Sequence, residues 1–404
     1  MTPPILIIGA GLGGICLAHA LRKNNIPYKL FEADPKSNFR TQGYRLRITK
    51  DGVTALHESL TPELFTLFEK TCAETAKMGI RVKPDGTPAP SKPGLGPPPQ
   101  TMSGSVYTID RSTFREALLA SLEVEGNVFF EKSLDYYTID ADKVTGFFTD
   151  GSSEEGALLV GADGVRSRVR KQYIPEYQGI DSDMRIIFGK TPLTPGFLAK
   201  LPESHQQGMS LVTDPDDSFQ PTFLFESIHF PHADEVPFPL PSAYMYWCLL
   251  ARTSTLPVSD EKSWHVTPRE AADLSRYLTR GWNPALRSIF EMQDESQAAV
   301  RSILSALPEI EPWTPCSRVT VLGDAIHIMP PTGAMGANTA LRDAGDLARR
   351  IVEAGGAGGL DEKIIGDYEA GVREFAKVAI GFSWRGGMNS FGLRAAEECE
   401  RILL

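Results

Sequence analysis

The chain has 404 residues, a formal net charge of −10, and 42% hydrophobic and 23% charged residues. That length exceeds one ordinary core and predicts two domains. The acidic balance argues against a nucleic acid or an anionic membrane as partner, since both need a basic face. Five scattered cysteines without a Cys-x-x-Cys pair indicate free thiols in a reducing compartment, with neither a disulfide framework nor a metal site.

The opening Met1-Thr-Pro-Pro lacks the basic start of a secretion signal, and Ile5-Leu-Ile-Ile reads at once as a strand over 5–8. Gly9-Ala-Gly11-Leu-Gly-Gly14 predicts a tight turn, Ile15–Lys23 a helix and Tyr28–Glu32 a second strand, which together make a βαβ unit. Gly9 permits the turn, Gly11 lets backbone approach a pyrophosphate, and Gly14 lets the helix pack on the strand. The helix start offers unpaired N–H groups and a positive dipole end to phosphates. Glu32, eighteen residues after Gly14, is placed to take hydrogen bonds from a ribose with free hydroxyls, as in FAD or NAD.

Tyr44–Thr49 reads as a strand among Arg40, Arg45 and Arg47, one of which is expected to reach cofactor or substrate. Thr61-Pro62 predicts a helix N-cap followed by proline at the first position. Residues 83–99 are rich in proline and glycine and read as an exposed loop. Val106–Ile109 resumes a strand and Ser112–Ser121 a helix. Met184–Phe188, Met209–Val212, Thr222–Phe230 and Tyr244–Ala251 are aromatic and β-branched runs, so this stretch reads as a separate sheet, followed by helix over 268–292. Val319-Thr-Val-Leu-Gly323-Asp324 is a second apolar strand ending in glycine. Beyond it Ala340, Leu341, Ala344, Leu347, Ala348 and Ile351 share one helical face. Segments at about 361–383 and 388–403 are expected to be helical. No apolar run is long enough to cross a bilayer, and a cytoplasmic location is expected.

Three motifs carry a family resemblance. Leu158-Leu-Val-Gly161-Ala-Asp163-Gly164-Val-Arg-Ser167-Arg-Val-Arg170 resembles the Asp-Gly fingerprint of class A flavoprotein monooxygenases, the para-hydroxybenzoate hydroxylase type. Gly323-Asp324-Ala-Ile-His327-Ile-Met-Pro330-Pro331-Thr-Gly333-Ala-Met-Gly336-Ala337-Asn338 resembles their Gly-Asp fingerprint. The segment around Arg111 is similar to the family's short arginine-bearing stretch before the second helix of the flavin domain.

The resemblance implies an α/β fold: a Rossmann-like FAD-binding domain with an inserted mainly-β substrate domain and C-terminal helices. The expected divisions are 1–180, 181–300, 301–360 and 361–404. It further implies that Asp324 bonds the flavin ribityl chain, that Arg111 contacts FAD, and that Asp163 serves FAD and pyridine nucleotide, partly by holding its loop. The Gly333–Asn338 backbone would face the flavin pyrimidine ring, where a helix N-terminus suits the negative charge of reduced flavin. Pro330-Pro331 would stiffen the wall beside the flavin. His327 reads as a hydrogen-bonded structural residue, and no residue is nominated as a catalytic base. Many family members have arginine after the ribose-binding acid, where this chain has Ala33; Arg40 is the expected substitute.

The implied reaction is FAD-dependent: NAD(P)H reduces the flavin, O2 adds to give a C4a-hydroperoxide, and one oxygen hydroxylates or epoxidises an aromatic or polycyclic secondary metabolite. Phe223, Phe225, Phe230, Tyr244, Tyr246 and Trp247 are candidates for the substrate pocket, half of them packing by strand alternation. A halogenase, a flavin reductase and a non-enzymatic flavin-binding protein share the fold. Gly281-Trp282-Asn-Pro does not match the Gly-Trp-x-Trp-x-Ile-Pro segment typical of halogenases. The expected state is a monomer or homodimer.

Overall fold

A computed structural model describes residues 3–36, 44–75, 78–90, 105–214, 216, 220–258 and 266–404. Arg40 and residues 91–99 of the expected proline-rich loop lie outside the described residues. The described start of that loop is a tight turn, with Lys83 N donating to Thr87 O at 2.7 Å.

Ile5–Ile8 is almost wholly shielded, because parallel strands flank it and other elements cover both its faces. That double burial is why the run is continuously apolar rather than alternating. Five parallel strands line up in the order Val319–Val321, Leu158–Gly161, Ile5–Ile8, Tyr28–Phe31 and Val128–Phe129. Both glycine-ended runs therefore finish at the same end of one sheet, where ligands of open α/β sheets bind. The helices Leu12–Lys23 and Gly336–Glu353 pack together on one face; a Cβ on Gly13 would stand 3.1 Å from Ala340 O. A three-stranded antiparallel sheet, 134–156, covers the other face, and Gly156 meets Leu6 there.

The second sheet is antiparallel apart from one edge. Its strands run Ala299–Ala306, Gln178–Pro192, Tyr244–Arg252, Thr222–Ile228, Met209–Val212 and Met78–Val82. Side chains alternate across it as a pleat requires. Met245, Trp247 and Leu249 turn outward with Phe223 and Phe225, onto the helices Pro268–Leu278 and Pro284–Glu291. Tyr244, Tyr246, Cys248 and Leu250 turn inward, toward the nucleotide-binding half. The first outer helix starts with a capping box, Thr267 with Glu270, and Pro268 at its first position. Thr61 caps the Pro62–Thr71 helix as its sequence predicts.

Three expectations shift. The first helix begins at Leu12, inside the glycine turn. The strand Ala299–Ala306 carries the second sheet past residue 300. At the C-terminus a single helix, Glu362–Phe391, stops at Gly392, whose left-handed φ of 70° ends it in the manner of a glycine C-cap. Residues 388–403 are thus not a second helix: Glu400–Leu403 is a strand added to Gln178–Asp181.

Candidate functional site

The first glycine turn is set by backbone crowding. Gly9 has φ 108°, and a Cβ there would lie 2.3 Å from Ala162 O; one on Gly14 would lie 2.1 Å from Gly9 O. Gly11 differs, since its Cβ would meet nothing nearer than 4.0 Å. The space beside Gly11 is open, and the Leu12–Lys23 helix starts there with no capping side chain and no acid in its first turn. Its first N–H groups lack intrahelical partners.

Glu32 closes one side. Its Oε2 accepts from Ala10 N at 3.1 Å and from Arg115 Nη2 at 2.8 Å, and its Oε1 from Asp34 N at 3.0 Å. Arg115 Nε also donates to Ala10 O at 2.7 Å, so one guanidinium fixes both the acid and the turn. Arg115 lies one helical turn after Arg111 on the Arg111–Glu123 helix, an i,i+4 spacing that was visible in the sequence and passed over.

At the second turn, Asp324 begins a one-turn helix, is open to solvent and accepts no hydrogen bond from any described residue. It nevertheless sits deep enough that desolvation raises its carboxyl pKa, against the pull of His327 and Arg111. Arg111, the implied FAD contact, is therefore in electrostatic reach of it. The next helix, Gly336–Glu353, has no capping side chain, so the N–H groups of Gly336, Ala337 and Asn338 point out of its start. The Asn338 side chain is fully spent on protein: it accepts from Thr49 N at 2.8 Å and donates to Arg47 O at 2.8 Å and Ala334 O at 2.7 Å. Only its backbone is left for a ligand. Gly333 packs against Phe382 and Ser383 of the C-terminal helix, and Ala334 holds a left-handed φ of 54°.

Asp163 is a loop-holder. Its carboxylate accepts from Ser167 Oγ at 2.5 Å, Arg168 N at 2.7 Å and Val169 N at 3.3 Å, which anchors the start of the Arg168–Tyr173 helix. Arg170, fully buried, ties that loop to the second turn by donating to Val165 O and Ala325 O, both at 2.9 Å. His327 pairs with Asp343 at 2.5 Å with both side chains buried. Desolvation pulls its pKa down, but the Asp343 carboxylate outweighs this and raises it. Asp343 also accepts from Gly323 N at 3.1 Å, so the pair shapes the turn that presents Asp324.

Facing these elements is the inward side of the second sheet. Of the six aromatic candidates, Phe223, Phe225 and Trp247 belong to the outer core, while Tyr244 and Tyr246 face the nucleotide half, with Phe230 6.3 Å from the Tyr244 ring. Two polar clusters join the halves. Asp110 accepts from Lys190 Nζ at 2.5 Å and Tyr244 OH at 2.8 Å. Glu226 takes Arg45 at 2.5 Å and Arg47 at 2.9 Å. Both arginines thus reach the second sheet, and neither is a plain surface charge. Glu226 was not picked out, although a lone carboxylate in the apolar run Thr-Phe-Leu-Phe-Glu-Ser-Ile is itself a sign of a buried partner.

Against known proteins, a family model described as an FAD binding domain matches residues 310–383, and one described as an NAD(P)-binding Rossmann-like domain matches 7–71. The chain is 37% identical to the dual O-methyltransferase/FAD-dependent monooxygenase elcB of Phaeosphaeria nodorum, over 98% of this chain and 47% of that protein. The chain belongs to the class A FAD-dependent monooxygenase family. It is also 28% identical to the FAD-dependent monooxygenase thnD of Trichoderma harzianum, over 85% of this chain and 82% of the relative. Among solved structures, a protein of Photorhabdus luminescens described as an FAD containing monooxygenase is 29% identical, with a TM-score of 0.78 over 96% of this chain and 99% of that one. The chain spans about half the length of the first curated relatives it matches. The cofactor of this family is FAD, and the site fits it. Two helix starts without capping side chains, room for close approach at Gly11 and an Asp324 carboxylate that accepts from no described residue suit a long dinucleotide.

Proposed function

We propose that this flavoprotein uses NAD(P)H and O2 to hydroxylate or epoxidise an aromatic or polycyclic small molecule of secondary metabolism. The observation that carries this reading is the meeting of a dinucleotide cradle with the inward, tyrosine-bearing face of a separate sheet. When bound, FAD supplies the redox chemistry that activates oxygen. Gly9, Gly11 and Gly14 shape the pyrophosphate turn, and Glu32, oriented by Arg115, receives the adenosine ribose. Asp324 with Arg111 takes the ribityl side, and the N–H groups of Gly336, Ala337 and Asn338 stabilise negative charge on the pyrimidine ring. Gly333, packed on the C-terminal helix, seats that loop; Asp163 and Gly323 hold theirs. The substrate sheet orients the organic molecule and keeps water out.

Purified protein should show oxidised-flavin absorbance that bleaches anaerobically with NADPH and returns on adding oxygen. NADPH consumption should rise with an aromatic acceptor, and mass spectrometry should then find one added oxygen atom. A protein that binds no flavin even when FAD is supplied would refute the reading.

A further inference from the structure

The helix Arg111–Glu123 carries two arginines of the nucleotide half: Arg111 at its first position, in electrostatic reach of Asp324, and Arg115 one turn later on Glu32. Its start is set by Asp110, the last residue of the strand Tyr107–Asp110. Asp110 Oδ1 accepts from Thr113 N at 3.0 Å and Thr113 Oγ1 at 3.1 Å, an N-cap that fixes the first turn. Its Oδ2 turns away from the helix and takes Lys190 Nζ at 2.5 Å and Tyr244 OH at 2.8 Å, both from the second sheet.

One carboxylate therefore holds the helix start with one oxygen and the second sheet with the other. Asp110 is 1% exposed, so water screens its charge poorly. Burial, with this carboxylate alongside, raises the Tyr244 phenol well above its ordinary range; the phenol stays protonated and donates. Lys190 supplies the full counter-charge, since neither it nor Asp110 has another ion-pair partner among the described residues. Its ammonium lies 4.5 Å from the Tyr244 ring centroid, so the two side chains brace each other. Arg111 follows Asp110 directly in the chain; its N donates to Tyr44 O at 3.2 Å, and its guanidinium lies 5.4 Å from the Tyr44 ring. The first turn of the helix holds no acid. Without Lys190, the Asp110 carboxylate would compete with Asp324 and with a bound cofactor for the Arg111 charge.

We propose that Asp110 is a positioning residue for the cofactor and Lys190 its balancing charge: by neutralising Asp110 from the second sheet, Lys190 leaves the Arg111 cation to FAD. The second sheet thereby sets how tightly the flavin is held and how readily it is reduced, because positive charge nearby favours the electron-rich reduced form. The inference needs FAD at the glycine turns and is independent of which molecule is oxygenated.

The test uses the FAD-loaded full chain, with affinity read by flavin fluorescence and midpoint potential by dye-coupled titration. Lys190→Met should weaken FAD by about ten-fold and make the bound flavin harder to reduce. Lys190→Arg keeps the charge and should hold both values near those of the wild type. Asparagine caps a helix about as well as aspartate, so Asp110→Asn keeps the helix start while leaving the Lys190 charge in place. It should make the flavin easier to reduce, the opposite sign to Lys190→Met, and it decides the matter if Lys190→Met does not fold. With both charges removed, Asp110→Asn/Lys190→Met should return FAD affinity to within about three-fold of the wild type. A role in packing alone would move the potential in neither charge-dependent direction. Unchanged affinity and potential in Lys190→Met, shifts of the same sign in Lys190→Met and Asp110→Asn, or a double variant no better than Lys190→Met overturns the inference. A wild-type protein that binds no FAD would instead refute the flavoprotein reading itself.

Discussion

The nucleotide half and the second sheet position their polar groups by different means. In the nucleotide half the work falls to backbone: crowded glycines, uncapped helix starts and a turn held by Asp343. In the second sheet it falls to side chains that meet across the junction, Glu226 with Arg45 and Arg47, and Asp110 with Lys190 and Tyr244. A backbone device tolerates little change in residue type, whereas a side-chain cluster can be re-tuned one residue at a time. The nucleotide half is thus rigid in its chemistry and the second sheet adjustable.

The strongest way to break this contrast is Glu226→Ala, which strips the shared counter-charge from two guanidiniums. It should cost about 3–5 kcal/mol of stability, seen as a large fall in the denaturant midpoint. A change below about 1 kcal/mol would mean that the cluster does not hold the junction.

The nucleotide half also contains a costly side-chain group, and it sharpens the comparison. Burial raises Glu369 from 4.5 to about 7, with hydrogen bonds from Thr320 and Tyr173 partly opposing the rise. The folded state therefore keeps a proton that the unfolded state has already released. The stability this gives is fully present below about pH 4.5 and is lost as pH rises through about 7. Glu369→Gln should flatten the stability profile across that window and gain about 2–3 kcal/mol at alkaline pH. An unchanged profile would show that this carboxyl titrates normally.

Gly14→Ala tests the backbone device itself. A Cβ 2.1 Å from Gly9 O forces the helix off the turn, at about 1–3 kcal/mol, and flavin content should drop while the substrate sheet's secondary structure persists. Arg115→Met should have the smallest effect, leaving Glu32 held by backbone N–H groups alone. The expected result is FAD affinity about ten-fold weaker by fluorescence titration. Undiminished affinity would separate Glu32 from the cofactor.

The sequence was most legible where local backbone geometry dictates residue type. Gly9 and Gly14 were readable because backbone crowding demands a missing side chain, whereas Asp324 was named through the family resemblance alone. The Thr61 cap and the alternating strands were readable for the same local reason. The end of the last helix was misread because Gly392 outweighed the helical spacing beyond it, and pairing with Gln178–Asp181 made residues 400–403 a strand.

The sequence by itself determined the parallel sheet, the two glycine turns at its end and the family, since these follow from patterns spanning a few residues. Only the tertiary structure decided that Arg115, 83 residues away, pairs with Glu32. It alone decided that the Asn338 amide is spent on backbone and that Arg45 and Arg47 share Glu226, 181 and 179 residues away. Contacts between charges so far apart in the chain leave no local pattern; they exist because two sheets, each folded for its own reasons, bring their inner faces together.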